Sequence, residues 1–229
     1  MFLQIRSRKK LPPPWVTPLL VLVSMTVFLW LSLLPDGPAW RAALGRWGVL
    51  TGSLPITPTD AWAALLDGRM LKLFSAIFIH ANWGHLLGNL LFLMIFGVPA
   101  ERALGPWRFL LLFLLGGAIA NVAAVAMMGA PHRMIVGASG AVSAAIGAYL
   151  ALFPRARLGI VVPLGLFLEF IRVPASLLIV IWALLQVLFT FVGPAFGAVA
   201  WWAHVTGFAF GIVFALLSRS AVARRMRGG

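Results

Sequence analysis

The sequence has no cysteine among its 229 residues, one tyrosine, and five acidic residues against eighteen Lys and Arg. The missing cysteine excludes a disulfide scaffold and a thiolate metal site. Only 10% of residues are charged, where a soluble domain carries about 25%. That scarcity excludes an ordinary soluble domain, and it equally excludes a disordered chain, which needs high charge and few apolar residues. Internal repeats, low-complexity tracts and alternating strand patterns are not visible. What the chain does have is 62% hydrophobic residues, ten Trp and a net charge of +13. Such a charge suggests nucleic acid, but that reading needs a basic stripe on a polar face, and here the apolar background leaves no such face. The sequence therefore reads as a polytopic membrane protein whose excess charge is topological.

Six apolar runs, at residues 15–34, 80–99, 107–128, 139–153, 174–192 and 202–218, match or approach the length that crosses about 30 Å of hydrocarbon. The expected fold is all-α: a single bundle of six transmembrane helices with a large interfacial first outer loop. Residues 1–14 read as a basic N-terminal tail, 15–218 as the transmembrane domain and 219–229 as a basic C-terminal tail. Arg6, Arg8, Lys9 and Lys10 before the first run also suit a signal peptide. That run is too long for one and no cleavage site follows closely, so a retained anchor is expected. With a cytoplasmic N-terminus, thirteen basic residues fall inside and five outside: Arg41, Arg46, Arg69, Lys72 and Arg133. Both termini are therefore expected in the cytoplasm. A short basic tail and no targeting extension point to a bacterial inner membrane. In the outer loop, 35–79, Trp40, Leu44 and Trp47 recur at helical spacing, as do Ala61, Trp62, Leu65 and Leu66 after a possible cap at Thr59 or Asp60. Both segments read as helices lying in the interface.

Polar residues inside the spans carry the most information, because each is costly to bury without a partner. Spans two, four and six run in the same direction, from outside to inside. Span two opens with His80, His85 and Asn89, span four with Ser139, and span six with His204, so all fall in the outer half of the bilayer. Span four, at roughly 1.5 Å per residue, falls short of the hydrocarbon thickness. Ser139 is thus expected below the surface, beside a dipping loop at 129–137 that lines a water-filled cavity. Small residues at Gly137, Gly140, Ala144 and Gly147, and at Ala203, Gly207 and Gly211, let these two helices approach closely. If the faces meet, Ser139 and His204 come within reach as nucleophile and base. The alternative is a packing face whose serine bonds a backbone carbonyl. Asp36, Asp60 and Asp67 lie in the first outer loop, and Glu101 and Glu169 toward the cytoplasm. A hydrolase built here would use a dyad, its oxyanion held by Asn89, His85 and backbone N–H near Ser139. His132 reads as a solvated loop residue, and Glu101 with Arg102 as a structural cap or ion pair. His85 and His204 would also suit haem ligation; a transporter fits less well, having no midplane acid.

These residues resemble the rhomboid family of intramembrane serine proteases, in its bacterial six-span form. The resemblance rests on His80, His85 and Asn89 in span two, Gly137-x-Ser139-Gly140 in span four, and Ala203-His204-x-x-Gly207-x-x-x-Gly211 in span six. Gly97, Glu101 and Gly105 add a fourth motif. It implies cleavage of peptide bonds in or near transmembrane segments of protein substrates within the lipid bilayer, without metal, cofactor or nucleic acid. Ser139 would be the nucleophile and His204 the base; Asn89, His85 and Gly137 would form the oxyanion site. His80, Gly140, Gly207 and Gly211 would be structural. Two positions depart from the family pattern: Leu71-Lys72 stands where the family often has Trp-Arg, and Ser143 where some members place an aromatic against the histidine. A rhomboid-like protein that binds transmembrane clients without cutting them is the second reading.

Overall fold

The computed structural model describes residues 12–35, 37–51, 68–127, 133–164, 167–192 and 200–227. Helices form where the apolar runs lie: α1 Val16–Ser32, α4 Trp83–Phe92 continuing through a π turn Leu93–Gly97 into α5 Val98–Leu104, α6 Pro106–Met127, α7 Ser139–Leu152, α8 Ala175–Val192 and α9 Trp201–Leu217. Between the first two spans lie α2 Pro38–Trp47 and the single turn α3 Lys72–Ser75. Three of the spans, Trp83–Leu104, Pro106–Met127 and Ala175–Val192, are each long and apolar enough to cross a bilayer. The chain is a polytopic helical membrane protein. The second segment of the outer loop, at 58–66, and His132 lie outside the described residues; the first is α2, which buries no residue and carries Trp40 and Trp47 exposed.

Two departures from the expected bundle concern strands. Val49–Leu50 (β1) pairs antiparallel with Met134–Ile135 (β2), tying the end of α2 to the loop before Ser139. Arg157–Leu164 (β3) and Phe167–Pro174 (β4) form an antiparallel hairpin between α7 and α8, where the all-α expectation had no strand. Ile160-Val161-Val162 and Phe170-Ile171 supply the β-branched and aromatic content that favours a strand.

The N-terminus of α1 shows how the bundle meets the backbone's demand for partners. A helix leaves its first N–H groups without intrahelical acceptors. Here Glu101, 1% exposed, takes them: Oε1 accepts from the N–H of Trp15 and Val16, and Oε2 from the N–H and hydroxyl of Thr17, all at 2.7–2.8 Å. The next residue, Pro18, has no N–H to satisfy. At the end of α5, the helix that carries Glu101, Gly105 turns the chain with φ +86 into α6. Beyond α9 the chain bends by 59° into α10 Arg219–Arg227, and Arg225 Nε donates to the Arg102 carbonyl at 3.1 Å, a cation at a helix C-terminus.

At the centre stands α7, buried without interruption from Gly140 to Tyr149. A helix apolar on every side is an interior helix, and this one is rich in Gly, Ala and Ser, so its neighbours come to backbone contact. A Cβ added at Gly207 would strike the Gly140 carbonyl, one at Gly211 the Ala144 carbonyl, and one at Gly147 the Phe208 carbonyl of α9. From the other side α6 brings Gly116 against Ala144 and Gly117 against Ala141. Span-length helices thus pack around a short one of 14 residues, about 21 Å long at roughly 1.5 Å per residue.

Two substitutions test these contacts. Glu101→Gln replaces two acceptors by one and turns an N–H₂ toward donors, so equilibrium unfolding in mixed micelles is expected to show a loss of about 2–4 kcal/mol, in the range for broken buried charge-assisted bonds. Gly211→Ala should lower stability by about 2 kcal/mol or more through overpacking against α7. Gly45→Ala, with nothing within 4 Å of the new methyl, should leave stability unchanged or slightly raised.

Candidate active site

The site is assembled at the N-terminal end of α7. Ser139 is the first residue of that helix, so the N–H groups of its first turn point out of it without intrahelical acceptors. The preceding backbone is held from three directions. The Gly137 N–H donates to the Ala76 carbonyl at 2.9 Å, the Ala138 N–H to His80 Nε2 at 3.5 Å, and β2 is paired with β1. Thr51 closes that pair by accepting the Arg133 N–H on its hydroxyl at 2.8 Å. Gly137 is a glycine for two reasons: its φ is +115, and a Cβ there would lie 2.5 Å from His85 Cε1. Its N–H being engaged, Gly137 contributes shape to the site and not a free donor.

His80 precedes α4 and does not lie on the helix, contrary to the start expected for span two at residue 80; α4 begins after Asn82, whose side chain accepts the His85 N–H at 2.8 Å. This Asn cap ends the irregular stretch because it satisfies a first-turn donor. His80, 4% exposed, bonds the Phe78 carbonyl through Nδ1 at 3.2 Å, leaving Nε2 to accept from Ala138. It therefore staples the segment before α4 to the loop before Ser139. His85 accepts the Ala81 N–H on Nδ1 at 3.5 Å, so Nε2 carries its proton. Asn89, one turn on, donates one amide N–H to the His85 carbonyl at 2.9 Å and keeps the second.

A cavity of about 490 Å³ is lined by His85, Asn89, Ser139 and His204, together with Met134 and Val136 of the dipping loop. Of the five polar side chains expected in the outer half of the spans, four face one space; His80 does not line it. Ser139 and His204 share it without a direct hydrogen bond among the described residues; such bonds are commonly long before substrate arrives. A smaller space of about 250 Å³ continues from it past Ser139, Ser143 and His204 to Trp182, Gln186 and Trp201. Ser143, where an aromatic residue would stack on the histidine, is 1% exposed and donates its hydroxyl to the Ser139 carbonyl at 2.7 Å. His204 is instead flanked edge-on by Trp201, with ring centroids 5.8 Å apart at 89°. Its Nδ1 lies 2.7 Å from Gln186 Oε1.

Three contributors escape a reading of the sequence alone. Gln186 is one uncharged residue in an apolar run. Asn121, 5% exposed on α6, donates to the Leu73 carbonyl at 2.8 Å and so fixes the stretch leading to His80. Lys72 donates to the Gly45 carbonyl near the C-terminus of α2 at 2.7 Å, which gives the departure at Leu71-Lys72 a use in holding the outer loop. The signal for Asn121 and Gln186 was available in principle, since any polar side chain at membrane depth demands a partner; for Lys72 it was not, because the contact is long-range.

Comparison with known proteins agrees with this architecture. The Rhomboid domain family profile matches residues 67–221. The chain is 29% identical to mouse Rhomboid-related protein 2 over 142 residues, 61% of this chain and 43% of that one. It is 34% identical over 94 residues to Bacillus subtilis (strain 168) YdcA, whose name as a rhomboid protease is provisional, covering 41% and 47% of the two chains. It is 45% identical over 69 residues to the chloroplastic Rhomboid-like protein 11 of Arabidopsis thaliana, covering 30% and 24%. The matched region spans less than half the length of each of these relatives. With the profile covering about two thirds of the sequence, the chain belongs to the rhomboid family.

Proposed function

We propose that the protein is an intramembrane serine endopeptidase that cuts peptide bonds in or near transmembrane segments of other membrane proteins. The observation that carries this reading is the single cavity lined by Ser139, His204, Asn89 and His85 at the N-terminus of a buried helix. In the proposed reaction Ser139 Oγ attacks the scissile carbonyl carbon while His204 Nε2 takes the hydroxyl proton. A tetrahedral intermediate forms, its charge on the former carbonyl oxygen. Donors for that oxygen are the second amide N–H of Asn89, His85 Nε2–H and the unpaired first-turn N–H groups of α7, whose helix dipole adds positive potential. His204 then returns the proton to the leaving amine, giving an acyl-enzyme ester on Ser139. A water molecule, deprotonated by His204, hydrolyses the ester and restores the serine.

The cavity's depth explains why one fold combines a hydrolytic site with a lipid surround. Water must reach Ser139 while the substrate's own helix arrives from the bilayer, and a polar space among helices serves both. The distribution of basic residues supports a site toward the outer face, with both termini in the cytoplasm, and a bacterial inner membrane is the proposed location. The tripartite division at residues 14 and 218 is likewise proposed. Glu101, buried within the bundle, is committed to the N-terminus of α1 and so is taken from any role behind His204, which supports a dyad with no acid.

Cleavage of a generic transmembrane substrate in proteoliposomes tests the reading. Ser139→Ala and His204→Ala should each abolish product while leaving the unfolding midpoint near the parent's; an active Ser139→Ala protein overturns the assignment. A parent protein that binds such substrates and never cuts them favours the client-binding reading. Asn89→Ala should lower kcat by about 10²-fold, the range for one oxyanion donor, with little change in KM.

A further inference from the structure

Gln186 is the feature of the bundle that the dyad mechanism leaves unused. It sits on α8, the most exposed of the three span-length helices, with 17% of its residues buried against about half for α6. Only Ala175, Ile179 and Gln186 of α8 are buried. Two of these are small or apolar, as a helix facing lipid and a bundle requires. The third is a primary amide, 8% exposed, and an amide at that depth is unfavourable without a partner. Its partner is His204, with Oε1 2.7 Å from Nδ1.

The chemistry of that contact fixes a proton. Two lone pairs do not bond, so with Oε1 facing it Nδ1 carries the hydrogen and Nε2 is the nitrogen left basic. A serine hydrolase needs that tautomer and relies on a group behind the histidine to hold it. Nothing else among the described residues takes this position. Ser143 is turned to the Ser139 carbonyl, and Trp201 meets the ring edge-on, which limits the ring's tilt without selecting a nitrogen.

We infer that Gln186 is a positioning residue for His204, its amide oxygen accepting the Nδ1–H and holding the imidazole in the tautomer that removes the Ser139 proton. This rests on the dyad reading above and adds to it a third member that is neutral and comes from a different span. Gln186 does not touch the reacting atoms; it acts through the ring.

The test compares three full-length variants in detergent: Gln186→Met, which keeps the length and loses the acceptor, Gln186→Glu, which keeps an acceptor oxygen, and Ser139→Ala. Two rates are read, kcat and KM for a transmembrane substrate and the rate of covalent labelling by a fluorophosphonate, which reports the reactivity of the serine without substrate binding. Gln186→Met should lower kcat and labelling together by at least about tenfold, with KM within about twofold, since loss of the orienting group in a soluble triad is larger still. Gln186→Glu should recover most of both rates. A packing role predicts the reverse ranking, because Met suits an apolar surrounding and Glu does not. If Met equals the parent, or if Glu is the more damaging of the two, the inference is overturned while the dyad stands. If Ser139→Ala still cuts and labels, the dyad reading itself falls. The unfolding midpoints of all three are measured alongside, and the Met-against-Glu ranking decides even where both are lowered.

Discussion

The site depends on two helices touching through their backbones. Lipid tails are as apolar as leucine, so helices in a bilayer gain little from burying large side chains against each other and more from close contact. Along α7 and α9 that contact is repeated at each turn: Gly140 with Gly207, Ala144 with Gly211, Gly147 with Phe208. Ser139 heads one of these helices and His204 lies one turn before Gly207 on the other. Once the stripes are in register, Ser139 and His204 open on the same cavity without a hydrogen bond of their own. The approach is purely steric, and every larger residue on either stripe pushes the helices apart.

Around this pair the rest of the molecule supplies constraints of a different kind. The segment 133–138 before Ser139 is held by partners for its backbone polar groups in Ala76, His80 and β1. The histidine meets an amide and an indole where an aromatic stack was absent. Ser143 thereby ceases to be a defect: a small residue there makes room for side chains arriving from α8 and from α9 itself.

Each of the six apolar runs is a helix with ends within a few residues of those expected, because long apolar stretches leave few alternatives, and three of these helices are long and apolar enough to cross a bilayer. The convergence of His85, Asn89, Ser139 and His204 on one cavity was legible too, since each stands near the start of its apolar run. Elements that depend on partners far along the chain were not. The β1–β2 pair is two residues on each side, too short to leave a periodic signature. His80 lies where apolar count says helix, yet Asn82 starts the helix later by offering a cap. Gln186 looked unremarkable in its run because its meaning comes from a residue on the next helix.

Glu101 carries a consequence for how the protein is made. Its carboxylate meets donors that lie 84 to 86 residues earlier in the chain, and these donors leave the ribosome first. When the end of the second span enters the bilayer, a ready-made anion cradle is already waiting at the head of the first. A charge that would resist entering hydrocarbon alone is received by the frayed end of a neighbour that equally needs it. The two helices must then run in opposite directions, since the start of one is bound to the finish of the other. The relative direction of the two helices is thus fixed by a bond between them, and a second helix inserted backwards would leave both partners stranded.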